Sequence, residues 1–265
     1  MDSRLRRGRL AAICNHVTPA SPSPAAAEVV AFCTHEGAAH VTAYLAGLRD
    51  TAAVSSVALS DPTGFWAGQA KEILGDKLHS VHADAAKMLQ ELQPPIAIIT
   101  MEAILTPPVV EAALNAGCHV LAEKPGCVDL VAFDKLLRLS KQRGRNLSLA
   151  FANRVRPEIA RAAELVASGV VGKVYAVEIH TVADQKRLQN PAYHSRWEAI
   201  ASRSGGGHLA WLGVHFIDIA NFVLGSKPCQ VCGMTANVGG QPLDTEDAAA
   251  ATMRYENGAL GTIMR

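Results

Sequence analysis

In GGGHLAWLGVHFIDIANFVLG, residues 205–225, three glycines lead straight into an apolar run that carries His215 and Asp218. Buried polar groups need partners, so the two make either a packed structural bond or part of a site. A helix over 208–224 would put Trp211, His215 and Asp218, spaced by four and then three, on one side. Histidine titrates in the range useful for general acid–base work. Lys124, held at a strand end by the following Pro125, is its natural companion. An ammonium there can hold an alkoxide or lower the histidine pKa by like-charge proximity. The glycines ahead of the helix permit close backbone approach, either to another helix or to a ligand.

The elements that must position these groups change style along the chain. Apolar strands at 29–33, 54–59, 96–100, 119–122 and 146–151 alternate with helical patterns ending near 48, 74, 92, 116 and 143. Residues 79–82 read as a connection. This alternation predicts a Rossmann-like parallel sheet covered on both faces, over residues 29–151, with ligands at the carboxyl ends of its strands. That rule selects Thr34, Gly37 and His40 after the first strand, Asp61 after the second, and Glu123-Lys124-Pro125 after the fourth. Asp61 follows Gly37 at an interval suited to an adenosine ribose, although Asp-Pro is also an ordinary turn. Of the GxGxxG fingerprint only Gly37 is present, so spacing alone leaves dinucleotide binding open.

Residues 152–265 read as an α+β domain on an open antiparallel sheet, with strands near 173–181, 229–236, 247–255 and 259–264. The polar stretch 184–204 holds Tyr193, His194, Arg196 and Trp197 and reads as a long active-site or interface loop. Arg154, Tyr193, Trp197 and Trp211 are the candidate substrate contacts. The sequence stops inside the last strand, so a further portion of sheet is expected.

Apolar residues are 49% of the 265 and charged residues 18%, with a formal net charge of +1. That balance suits a folded globular protein and asks for neither nucleic acid nor an anionic membrane surface. Six cysteines show no zinc-ligand spacing, and Cys229-Gln-Val-Cys232 has no second pair, so no metal site is expected. Reduced thiols and the absence of a secretory signal point to the cytoplasm. Residues 1–28 read as a flexible leader, with a targeting peptide or a misassigned start as the alternatives.

Glu123-Lys124-Pro125 together with the GGG-x-L…G-x-H-x-x-D run resembles the Gfo/Idh/MocA family, the glucose–fructose oxidoreductase and inositol dehydrogenase type. Ala116–Leu121, Arg154, Gly169–Lys173 and Tyr255–Gly258 extend the resemblance over roughly residues 29–265. It implies hydride transfer between NAD, or NADP, and a secondary alcohol or carbonyl of a sugar, cyclitol or related compound. Lys124 matches the lysine that holds the reacting oxygen, His215 the general base or acid, and Asp218 the close of the same motif. Asp61 favours NAD, because a 2′-phosphate would meet its charge. The family's C-terminal sheet often forms an oligomer interface, which implies a homo-oligomer.

The departures fall on the cofactor side. Trp211 stands where the family commonly has an aspartate, and it can accept no such hydrogen bond. Phe32 and Thr34 stand near the first two fingerprint glycines, and Met101-Glu102 replaces a common Thr-Pro. Two other readings therefore stand beside the dehydrogenase. One is an inactive relative that binds a sugar-like ligand or a protein. The other is an enzyme using tightly bound NAD in a non-redox overall reaction.

Overall fold

The computed structural model describes residues 27–265. The leader reading therefore lies outside the described residues, except that Ala27 and Glu28 belong to the first strand. In chain order the N-terminal layer comprises β1 (Ala27–Thr34), α1 (Val41–Asp50), β2 (Val54–Ser60), α2 (Ala67–Leu74), β3 (Leu78–His82), α3 (Ala85–Leu92) and β4 (Ile96–Thr100). It continues with α4 (Thr106–Asn115), β5 (His119–Ala122), α5 (Leu130–Arg143) and β6 (Leu147–Leu149). The strands lie in the order β3-β2-β1-β4-β5-β6 and every pair is parallel. This is the expected Rossmann-like sheet, and its order reverses between β1 and β4, where a crevice opens at the carboxyl ends.

Period-two alternation sorts the strand residues between two cores. Ala31, Cys33, Ala97, Ile99, Val120 and Ala122 pack with Met88, Leu89, Val110 and Leu114 of α3 and α4. Val30, Phe32, Val57 and Leu59 face the other way, against Val41, Leu45 and Leu48 of α1 and Leu74 of α2. Helix ends follow local chemistry. Asp129 accepts from the Val131 and Ala132 amides at 3.0 and 3.1 Å to start α5, and Gly144 closes it in the left-handed region. The segment 79–82 is a strand and not a connection. As the edge strand it has one neighbour, so its His-Ser-Val-His alternates half-buried and exposed and carries no apolar run.

The C-terminal layer comprises α6 (Pro157–Ala167), β7 (Ala176–His180), α7 (Val214–Leu224), β8 (Pro228–Ala236), β9 (Ala248–Tyr255) and β10 (Leu260–Met264). Its sheet order is β7-β10-β9-β8. β8, β9 and β10 pair antiparallel as expected, but β7 runs parallel to β10, so the sheet is mixed. The chain between β7 and β10 passes through α7 and two strands, a crossover long enough for a parallel pair. Ile179, Met253, Tyr255 and Ile263 of the sheet bury against Ala220 and Leu224 of α7. By length and composition alone Ala201–Leu224 could cross a bilayer, yet here it packs on α6 and this sheet.

The expected single helix over 208–224 is broken in pitch. Leu209–Gly213 forms a π-helical turn, and regular α-helix begins at Val214. Gly206 and Gly207 before it approach Glu246 in the loop ahead of β9, and Gly205 faces Val128. Glu246 accepts from the Gly207 and Leu209 amides at 2.6 and 2.9 Å, and its carbonyl accepts from His208 at 3.0 Å. A Cβ on Gly207 would stand 2.0 Å from the Glu246 carbonyl oxygen, so this position has no room for any other residue. Gly207→Ala should therefore destabilise the fold by about 3 kcal/mol or more. Urea unfolding of the variant against the parent checks this through the midpoint at unchanged slope.

Candidate active site

At the crevice the chain supplies its own partners for most of the residues singled out. Thr34 is fully buried and its hydroxyl accepts from that of Thr100 at 2.9 Å, which ties β1 to β4. The ring nitrogens of His35 face the Gly37 and Glu102 amides at 3.2 and 3.1 Å, and a neutral imidazole accepts at only one of them. Burial lowers the His35 pKa and favours that neutral form. The carbonyl of Gly37 accepts from the Trp197 indole at 3.0 Å. Both faces of this peptide turn are thus engaged by protein.

Asp61 behaves as the turn its Asp-Pro step suggests. One carboxylate oxygen accepts from the Thr63 amide and hydroxyl, each at 3.3 Å, and the other from the Trp66 amide at 2.7 Å. With 2% of its surface exposed, it is buried in its own turn. Glu102 is likewise accounted for. It is buried, and Arg203 from the long loop forms a two-pronged ion pair with it. The residue pattern marked Glu102 as anomalous, and the structure supplies its counter-charge from 101 residues away.

Lys124 is only 7% exposed and sits at the end of β5, before a cis peptide to Pro125. Its ammonium donates to the Trp211 carbonyl at 3.0 Å and lies 4.6 Å from the centre of that indole ring. Burial lowers its pKa, Glu123 opposes that, and Arg187 adds to it. Glu123 is a hub. One of its oxygens accepts from Tyr44 at 2.9 Å and meets His40 Nδ1 at 3.0 Å, while the other accepts from the Lys124 amide at 3.0 Å. Burial pushes its carboxyl up, but these bonds prevail and hold it below the ordinary value. His40 is correspondingly raised, chiefly by its bond to Glu123.

His215 does not bond Asp218. Its Nδ1 is sealed without a partner, its ring stands edge-on to Phe151 at 6.1 Å, and among the described residues no side chain or backbone group bonds Nε2. Burial lowers its pKa, and the nearby Lys124 lowers it further. Asp218 is instead the buried acceptor of a two-pronged ion pair with Arg154. Arg154 lies against the rings of Phe151 and Phe222 at 5.7 and 5.3 Å. Asp218 makes no bond to His215, although its charge works to raise the His215 pKa, and Arg154 is a clamp between segments whose charge is already matched. Tyr193 lies half-buried under Arg187, 5.4 Å from ring centre to guanidinium. Trp197 is 5% exposed, its ring centre lies 5.1 Å from that of Trp211 with the planes tilted by 44°, and it lines the crevice.

Lys124 and His215 do share a cavity of about 650 Å³, with His40, Tyr44, Glu123 and Asn153 as polar lining and Leu48, Ile98, Ala150 and Leu212 among its apolar walls. A second cavity of about 680 Å³ lies over the β2 end of the crevice, lined by His35, Gly37, Thr63, Trp66 and Arg203 among others. Among the described residues no cluster of three metal-ligating side chains occurs.

The fold and this placement define a two-layer chain with a doubly wound nucleotide-binding sheet and a lysine–histidine pair beside its switch point. A profile for the oxidoreductase family with an NAD-binding Rossmann fold, GFO/IDH/MocA, matches residues 15–151, and the GFO/IDH/MocA C-terminal domain profile matches 159–264. The chain belongs to the Gfo/Idh/MocA family, whose cofactor class is NAD(P). It is 26% identical over 164 residues to D-glucoside 3-dehydrogenase of Escherichia coli K12, covering 56% of this chain and 45% of that protein. It is likewise 26% identical over 152 residues to 1,5-anhydro-D-fructose reductase of Ensifer adhaerens, covering 56% and 43%. The chain thus spans less than half the length of these relatives in the matched region. Among solved structures, an oxidoreductase domain protein from Kribbella flavida superposes with a TM-score of 0.80 at 21% identity, over 90% of this chain and 67% of that one. Scyllo-inositol dehydrogenase from Lactobacillus casei, with bound NAD(H) and scyllo-inositol, gives 0.75 at 20% identity, over 90% and 69%.

The residues present fit a dinucleotide at one end only. The cavity at the β2 end can take its adenosine portion. Toward Lys124, however, the space among Ala39, Thr100, Met101, Glu123, Lys124, Trp197 and Trp211 is about 10 Å³.

The clamp makes a direct test. Arg154→Ala leaves the Asp218 carboxylate buried without its partner and should cost about 2 kcal/mol. That is less than for a fully buried pair, because the Arg154 side chain is 45% exposed and screened by solvent. A double-mutant cycle with Asp218→Asn measures it, and the double variant should recover part of the loss.

Proposed function

We propose that the chain works as an NAD(P)-dependent oxidoreductase on a secondary alcohol or carbonyl of a sugar, cyclitol or related polyol. The observation that carries this reading is the shared cavity, in which Lys124 and His215 are neighbours and none of the described residues bonds His215 Nε2. The names of the two sugar-directed relatives support the substrate class. When bound, the nicotinamide accepts hydride from the alcohol carbon or returns it to the carbonyl carbon.

The residues of the chain do the rest. Lys124 exchanges its bond to the Trp211 carbonyl for one to the reacting oxygen and stabilises that oxygen as its charge grows. His215 Nε2 takes the hydroxyl proton in oxidation and gives it back in reduction. A lowered pKa keeps His215 neutral, and so ready as a base, at neutral pH. Asp218 is a positioning residue that acts through its ion pair with Arg154. We further propose a cytoplasmic setting, supported by five unpaired cysteines among the described residues. Self-association through the outer face of the C-terminal sheet is supported by exposed Met234, Leu260 and Met264.

One observation favours a second reading, a relative that binds a ligand without redox chemistry: two indoles stand in the crevice beside Lys124. Isothermal titration with NAD⁺, NADH and NADPH, followed by a polyol screen for net cofactor reduction, separates the two. His215→Ala should lower kcat/KM for oxidation by about 10²–10⁴-fold with little change in cofactor affinity. The pH profile carries a further sign. A general base must be unprotonated, so oxidation falls as pH drops through the lowered His215 pKa. Lys124→Met removes the second cause of that lowering and leaves the larger one, burial. Its residual activity should therefore lose its acid limb at a higher pH than the parent's, by part of the shift only. An acid limb that stays in place would remove Lys124 from contact with His215.

A further inference from the structure

The two ends of the crevice are built differently. Over β2 a cavity of about 680 Å³ stands ready. Between Lys124 and the two indoles about 10 Å³ remains, room for roughly one water, apart from the cavity that Lys124 shares with His215. In a doubly wound sheet the dinucleotide crosses the switch point, with its adenosine ribose by the second strand and its pyrophosphate at the first βα turn. Its nicotinamide must therefore come to rest where the two indoles now stand.

These indoles differ in how they are held. Trp211 belongs to the π-helical turn that enters α7, and Lys124 bonds its carbonyl. Trp197 comes from the segment between β7 and α7, where the chain makes only short turns of three or four residues. Two latches fasten that segment to the nucleotide-binding sheet. Its indole N–H donates to the Gly37 carbonyl at 3.0 Å, and Arg203 pairs with Glu102 at the end of β4. The first latch uses the very turn a pyrophosphate would approach: a Cβ on Gly37 would already lie 3.4 Å from the Trp197 ring.

We propose that Trp197 is the gate of the nicotinamide half of the cofactor site, so that the space of about 10 Å³ between Lys124 and the two indoles widens only when this indole leaves Gly37. Trp197 also forms part of the wall of the standing cavity, so an adenosine nucleotide binds there with the indole in place, whereas a nicotinamide dinucleotide binds in competition with it. Trp197 is then a determinant of cofactor affinity and takes no part in the proton transfer. This rests on the nicotinamide reading of the Lys124 side of the crevice.

Titration calorimetry on the purified full chain tests it, with AMP and NADH as separate probes. Trp197→Ala should bind NADH at least tenfold more tightly than the parent and AMP no more tightly, since the indole is part of that cavity's wall. Two milder variants carry the test if the alanine variant fails to fold. Trp197→Phe keeps a ring and loses the N–H donor, and Glu102→Gln weakens the second latch. Each should raise NADH affinity several-fold with no gain for AMP, whose cavity Glu102 and Trp197 both line. Equal NADH affinity in the parent and in every folded variant, whether tight or undetectable, overturns the gate. So does a gain that AMP shares. The two proposals fail separately. Variants that gain NADH affinity but oxidise no polyol keep the gate and sink the oxidoreductase reading. Oxidation of a polyol with unchanged NADH affinity does the reverse.

Discussion

An ammonium group that is almost fully buried must be surrounded by acceptors or it does not stay charged. Lys124 sets that requirement, and much of the surrounding structure meets it. The Trp211 carbonyl reaches it from the π-helical turn, and the indole face of the same residue lies beneath it. The adjacent Glu123 offsets part of its desolvation, and does so only because Tyr44 and His40 keep that carboxyl ionised. Three separate parts of the chain, α1, the end of β5 and the entry to α7, are thereby brought to one point. The Glu246 turn that seats Gly207 belongs to the same arrangement, since it fixes where the π-helical turn begins.

The fold was largely legible because its signals are local. Apolar runs of strand length and the helical patterns ending near 48, 74, 92, 116 and 143 each depend on a few neighbouring residues. The misses have a common physical cause. β3 is an edge strand whose polar alternation carries no burial signal, and the parallel pairing of β7 with β10 is decided by a distant partner. In the site, residue type and spacing located Lys124 and His215. They could not say that Asp218 bonds Arg154, 64 positions away, or that Asp61 spends both oxygens on its own turn. A carboxylate's chemistry is visible in a sequence, whereas the donor that claims it is a property of the folded chain.

The departures from the family pattern prove mutually consistent in space. Glu102 is matched by Arg203, and Trp211 by the ring of Trp197. Trp197 in turn uses the carbonyl of Gly37, the fingerprint position that remains. Unrelated decay of a site leaves unpaired charges and voids. Here Glu102 and Trp211 each meet a group from the segment between β7 and α7, and little space is left between the indoles and Lys124. This bears on cofactor affinity before it bears on catalysis, since Lys124 and His215 keep their shared cavity.

The mixed C-terminal sheet has a consequence for the order of events during folding. β10 sits between β7 and β9, so β7 has no neighbour in the sheet until β10 arrives, about 80 residues later in the chain. The nucleotide-binding layer, in contrast, is built from strand–helix–strand units that close over much shorter loops. Loop-closure entropy therefore delays the second layer relative to the first. During synthesis the chain would pass through a stage in which the first layer is formed while β7 still presents a bare edge.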